Sequence, residues 1–145
     1  RPGWEFGIFW RIQNPADQEI DINFADTTTV NSGTVTNFPS ADGYNLTGSL
    51  KKTLTLTGKM YNEGDISVQM EVTNDEDITS TNRDWATLYG YRGDTNTTVN
   101  IISGSGISTQ WGFAWVFTDF NYKYARCRVF ASDANVTLIL KGRLI

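Results

Sequence analysis

The side chains best equipped for chemistry in this sequence are flat rings set beside charges. Trp85, Tyr89 and Tyr91 run into Arg92-Gly93-Asp94, and Tyr122, Tyr124 and Arg126 repeat the combination further along. A ring with a polar edge next to a guanidinium or carboxylate suits stacking on a sugar ring, with hydrogen bonds to its hydroxyls. Those eight residues are the candidate ligand-binding set. The same rings fit two other roles, which the sequence leaves open: ordinary core, and a subunit interface, where Tyr, Trp, Phe and Arg are enriched.

Other chemistries lack their parts. The chain has no histidine, which removes Ser-His-Asp and Cys-His machinery and the ordinary zinc site. Its single cysteine, Cys127, has no partner for an internal disulfide and alternates with Val129 and Ala131, the setting of a buried structural thiol. Glycoside hydrolysis needs only two carboxylates, and Asp84, Asp94 and Asp119 lie near aromatics, but no two stand at a recognisable spacing. The expectation is a non-catalytic chain. Asn74-Asp75-Glu76-Asp77 offers oxygen ligands but lacks the spaced ladder and glycine of an EF-hand, so neither metal nor cofactor is expected. Arg92-Gly93-Asp94 matches a tripeptide that many integrins recognise, and the same residues are common in turns.

Charge and hydropathy narrow the partners. Net charge is −4 with a pI near 4.7, and the densest basic groupings are Lys51-Lys52 and the pair Arg126 and Arg128. Nucleic acid is not expected. The longest apolar candidate, Val136 to Leu140, is interrupted by Thr137 and followed by Lys141, far short of the ~20 residues of a membrane-spanning helix. Membrane insertion is not expected.

The elements that must position these residues follow from strict alternation of apolar and polar side chains, the mark of a strand with one buried face. Trp4, Phe6, Ile8, Trp10 and Ile12 share a face ahead of a turn at Asn14-Pro15-Ala16-Asp17, and Ile20, Ile22 and Phe24 follow. Val30 and Val35 could sit in short edge strands. Leu50, Leu54, Leu56 and Met60, then Ile66, Val68, Met70 and Val72, flank the turn Asn62-Glu63-Gly64-Asp65 and read as a hairpin. Further strands are expected over 85–91, around Val99 to Ile102, and over 111–117, 122–131 and 136–144. Nine or ten short strands without lasting helical periodicity predict an all-β fold, a two-sheet antiparallel sandwich of jelly-roll type, as one domain over 1–145. The opening Arg1-Pro2-Gly3 lacks an initiator Met and a leader. With a strand running to the last residues, it reads as the C-terminal part of a longer chain.

Thr/Asn/Gly-rich loops, aromatic strands, no disulfide, and an ending of Val136-Thr137-Leu138-Ile139-Leu140-Lys141-Gly142-Arg143-Leu144-Ile145 give the chain its style. In this it resembles the receptor-binding tip of a tailed-phage tail fibre or tailspike. The resemblance covers the whole chain and no motif carries it. It implies a homotrimer on the virion, recognising saccharide or another receptor on the host surface. A carbohydrate-binding module of a secreted glycosidase is the nearest alternative and predicts a monomer. A capsid or decoration protein, its aromatic faces used for assembly alone, is the third.

Overall fold

The structure, a computed structural model, describes residues 19–61, 64–77, 83–104 and 111–145. The strand expected from Trp4 to Ile12, its turn at Asn14-Pro15-Ala16-Asp17, and Asn62 and Glu63 of the expected hairpin turn lie outside these residues. The described residues contain no helix and twelve strands, against the nine or ten expected. They are β1 (Ile20–Val30), β2 (Thr34–Phe38), β3 (Tyr44–Asn45), β4 (Leu54–Met60), β5 (Ile66–Thr73) and β6 (Ala86–Thr87). There follow β7 (Gly90–Arg92), β8 (Thr97–Val99), β9 (Ile102–Gly104), β10 (Trp111–Phe117), β11 (Tyr124–Ala131) and β12 (Val136–Leu144).

Two antiparallel sheets result. The first runs β1-β12-β4-β10-β7-β8; the second runs β2-β11-β5-β6, with β3 also on β11 and β9 also on β5. Pairing is nested: β1 with β12, β2 with β11, β4 with β10, β5 with β9. The chain is thus one long ribbon, doubled back and rolled so that successive long strands alternate between sheets, which is jelly-roll topology.

Alternation explains why these segments are strands, but two pairings differ from expectation. β4 and β5 do not form a hairpin. β4 pairs with β10 and β12 in the first sheet, and β5 with β11, β6 and β9 in the second. Leu54, Leu56 and Met60 on one and Ile66, Val68, Met70 and Val72 on the other are all buried in one core cluster, whereas Leu50, expected on the same apolar face, precedes β4 and is 67% exposed. Each strand therefore turns its apolar face to the other sheet across the core. The expected strand over 85–91 is in fact two: β6 ends in the second sheet and β7 begins in the first. The chain crosses at Leu88-Tyr89, where the Leu88 N–H donates to the Met70 carbonyl at 3.0 Å. The stretch from Val99 to Ile102 divides the same way into β8 and β9. These two crossings account for the extra strands there.

Between the sheets a file of rings runs Trp111, Phe113, Trp115, Phe117, Phe120, Tyr122, with successive centroids 5.6, 6.3, 4.8, 6.4 and 5.2 Å apart. Trp115, Phe117 and Phe120 are fully enclosed, so the aromatic face of β10 is core. Two glycines let backbone pass close to these rings. A Cβ on Gly58 would lie 2.1 Å from Phe113 Cε2, and one on Gly90 would lie 2.5 Å from Trp115 Nε1 and Phe117 Cε1. Cys127 is completely buried among this core, and burial pushes its thiol pKa far up. It is the buried structural thiol that the alternation predicts.

Candidate functional site

The eight predicted residues fall in three places. Trp85, Tyr124 and Arg126 come together on the outer face of the second sheet. The Arg126 Nε donates to Glu71 Oε1 at 2.9 Å, with the side chains 12% and 14% exposed. Its Nη1 donates to the Ala41 carbonyl at 2.6 Å, and the guanidinium lies 4.0 Å from the Trp85 ring centroid. Arg83, which the sequence did not single out, sits 3.8 Å from the Tyr124 ring centroid and donates to the carbonyls of Asp77 and Asp42. A Cβ on Gly43 would lie 2.8 Å from Trp85 Cη2. Two arginines of this chain thus cover its own rings and tie residues 41–43 down onto the sheet, by cation–π contact and charge-assisted hydrogen bonds.

Tyr122 stands apart. Its ring meets Phe120 edge-on at 5.2 Å and packs against the core, so it extends the internal file of rings.

Tyr89, Tyr91, Arg92 and Asp94 lie at the far edge of the first sheet. Gly90 faces the core, so alternation turns Tyr89 and Tyr91 outward, where they are 68% and 45% exposed. The register sets one row of outward side chains across all six strands: Asp21, Arg143, Thr55, Val116, Tyr91, Thr98. A second row runs Asn23, Lys141, Thr57, Ala114. The sheet is roughly 24 Å across at the usual strand spacing. In these two rows the middle strands β4 and β10 put only small side chains outward (Thr55, Thr57, Ala114, Val116), so this part of the face is a shallow trough with a low floor. One end, about 400 Å³, is lined by Tyr89, Tyr91, Thr98, Val116 and Thr118. The other, about 510 Å³, is lined by Asp21, Asn23, Thr55, Thr57, Lys141 and Arg143.

The groups along the trough are oriented. The Tyr91 hydroxyl donates to Asn96 Oδ1 at 2.7 Å, which fixes the ring. Lys141 donates to Asn23 Oδ1 at 2.9 Å and lies 3.6 Å from Asp26, and Arg143 pairs with Glu19. Asp21, Asn23, Thr55, Thr57, Lys141 and Arg143 were not among the predicted site residues. Their outward alternation was visible in the sequence, but their meeting in one trough depends on register.

Arg92 and Asp94 serve the turn that ends the trough. Arg92 Nε and Nη2 donate to Asp94 Oδ1 and Oδ2 at 3.1 and 2.5 Å. Asp94 Oδ1 also accepts the Ala114 N–H at 3.3 Å, and the Gly93 N–H donates to the Ala114 carbonyl at 3.2 Å. The charged ends of Arg92-Gly93-Asp94 therefore bind each other and the tripeptide is docked on β10, an arrangement that does not offer them to a receptor. The hydrogen bond from Arg92 holds the Asp94 carboxyl below its ordinary pKa of 3.8, opposing the effect of desolvation. A carboxylate depressed in the folded state stabilises that state above its unfolded pKa, and the contribution is lost as pH falls through the folded value. By carboxyl-carbon NMR, Asp94 is expected to titrate below 3.8. Arg92→Gln should move its midpoint upward and loosen residues 92–97 at higher pH than in the parent chain.

The acidic candidates stand in three different connections, Asp119 in the one that follows β10. Asp84 precedes β6 in the second sheet and Asp94 follows β7 in the first. In the acidic loop Asp75 Oδ1 accepts the Asp77 N–H, Asn74 Oδ1 accepts the Lys123 N–H, and Glu76 pairs with Lys123. Among the described residues no cluster of three or more acidic or cysteine groups is placed to hold a metal ion, and no helix is long and apolar enough to cross a membrane.

No protein-family model matches the sequence, and no curated protein matches it. Among solved structures the fold is similar to the SPBc2 prophage-derived protein YomS, at 12% identity over 88% of this chain and 92% of that one, with a TM-score of 0.54. It is also similar to a family 16 carbohydrate-binding module (13% identity, 77% and 73% covered, TM-score 0.39). The globular domain of zebrafish complement 1qA is a third (7% identity, 86% and 94% covered, TM-score 0.42). At these identities the likeness is one of fold, and the prophage protein supports the sandwich architecture.

Proposed function

We propose that this chain is a non-catalytic saccharide-recognition domain, of the kind that forms the receptor-binding tip of a phage tail fibre, and that the trough of the first sheet holds the glycan. One observation carries the reading. Two exposed tyrosines, Tyr91 on β7 and Tyr89 just before it, stand at the end of a low floor of threonine, alanine and valine, with oriented amide and charged groups at the other end. Two exposed rings side by side at one end of the face offer a stacking surface for the apolar side of a sugar. A tyrosine fixed by its own hydroxyl loses little freedom on stacking against a sugar, and Asn23, Lys141 and Arg143 supply donors for ring hydroxyls. A site this shallow binds weakly alone. Presented several times on one particle, such sites gain avidity without new contacts, which is why the trimeric, virion-borne form is the one proposed.

The test is a screen of bacterial surface glycans against the purified chain, followed by titration of the best ligand. Tyr91→Ala is expected to weaken binding by at least about tenfold. Folding stability should stay within about 0.5 kcal/mol, as for other exposed positions. Sedimentation should give a trimer. Unchanged affinity in Tyr91→Ala would remove the trough as the site, and a monomer at micromolar concentration would favour a module acting singly.

A further inference from the structure

Arg92, Arg126 and Arg143 each pair with a carboxylate. Arg83 donates to two carbonyls and stacks on Tyr124. Arg128 differs from every other described arginine. Its contact is a single hydrogen bond from Nη1 to Gln69 Oε1 at 3.3 Å, which leaves four of its five donors without a protein partner among the described residues. It lies on the outer face of the second sheet, half-buried, two positions from Arg126 and so about 7 Å away along β11. Its register neighbours on the two flanking strands are both amides, Asn37 and Gln69. One further polar need is unmet there. Asn37 Oδ1 is enclosed and accepts no hydrogen bond among the described residues, a rare state for a buried acceptor.

We infer that Arg128, Asn37 and Gln69 form a second binding site, which takes an oxyanion carried on a hydroxylated chain, that is, an acidic saccharide or polyol polymer. The guanidinium fork matches a carboxylate or phosphate with two parallel hydrogen bonds, which a lone amide contact cannot do. A hydroxylated ligand brings donors and acceptors beside its oxyanion, and the Asn37 and Gln69 amides that flank the fork can meet both. The electrostatics of the face agree. In a chain of net charge −4, Arg83, Arg126 and Arg128 gather on this one face, and the only ion pair that any of them makes among the described residues is Arg126 with Glu71. This site is on the opposite sheet from the tyrosine trough and does not depend on it.

The experiment titrates the full chain with a galacturonate trisaccharide, a glycerol-phosphate oligomer and a neutral galactose trisaccharide, by calorimetry at two salt concentrations. One or both anionic ligands should bind, more weakly at high salt, and which of them binds identifies the source of the oxyanion. Arg128→Gln should weaken that binding by roughly 10- to 100-fold, with Arg128→Lys recovering part of it, because the charge remains and the fork is lost. Tyr91→Ala should leave it unchanged. Absence of anionic binding in the parent chain, full affinity in Arg128→Gln, or equal loss in Tyr91→Ala would each overturn the assignment. Neutral-sugar binding that Tyr91→Ala removes and Arg128→Gln keeps would support separate sites, so the two readings can fail independently.

Discussion

Replacing Trp115 with alanine should lower the free energy of unfolding by about 3–5 kcal/mol, a large share of the roughly 5–15 kcal/mol that holds an ordinary domain together. The ring is completely enclosed, tilted against Phe117 at 4.8 Å and edge-on to Phe113 at 6.3 Å. Its removal opens a cavity in the middle of the aromatic file, which the two pinned sheets cannot close. The indole Nε1 nevertheless makes no hydrogen bond among the described residues in its buried position, so part of this side chain opposes folding. Trp115→Phe should therefore be far milder, within about 1.5 kcal/mol, since it keeps most of the ring and deletes the stranded donor. Guanidinium unfolding checks both, with the midpoint moving at constant slope. If phenylalanine proved as damaging as alanine, the enclosed donor would have to be satisfied in solution.

The second large effect comes from adding atoms. Gly58 lies between Phe113 on β10 and Leu140 on β12, and a Cβ there would fall 2.1 and 2.3 Å from Phe113 Cε2 and Cζ. β4 is hydrogen-bonded on both sides, so its backbone cannot retreat. Phe113 cannot swing away either, because Trp111 and Trp115 stand on each side of it. Gly58→Ala should cost on the order of 1–3 kcal/mol, and Gly58→Val more. The cause can be isolated with a double-mutant cycle. Phe113→Leu destabilises the parent chain but should recover much of the loss in the Gly58→Ala background. Simple additivity would mean that the glycine is needed for its backbone freedom and not for the room it leaves.

How far the sequence could be read depended on what alternation encodes. Trp111–Phe117 and Val136–Leu144 were legible to the residue, because each is an unbroken strand with one wholly apolar face. Alternation fixes which side chains turn inward, but it does not say which sheet a strand joins. So Leu54–Met60 and Ile66–Thr73 looked like partners in one plane when they face each other across the core. The same blindness joined Trp85 to Tyr89. The chain crosses from one sheet to the other between them without breaking the alternating phase, and one apparent aromatic face became two separate places. Tyr122 and Tyr124 parted for a similar reason, since only the second lies on β11. The far wall of the trough was out of reach: Asn23, Thr57 and Lys141 are distant in sequence and become neighbours only through register. Nothing in the sequence around Arg83 signals that its guanidinium lies on Tyr124.

The nested pairing sets the order in which this molecule can be made. Ile20 meets Leu144, and β12 lies between β1 and β4. A nascent chain still lacking residues 136–144 therefore holds two strands of the first sheet with nothing to join them, and β5 has no opposite layer complete enough to cover it. Neither half can be finished early and set aside. Closure of the first sheet waits for β12, in the millisecond-to-second range usual for folds built on distant pairings. Until that moment the greasy faces of both layers are open to any neighbouring chain.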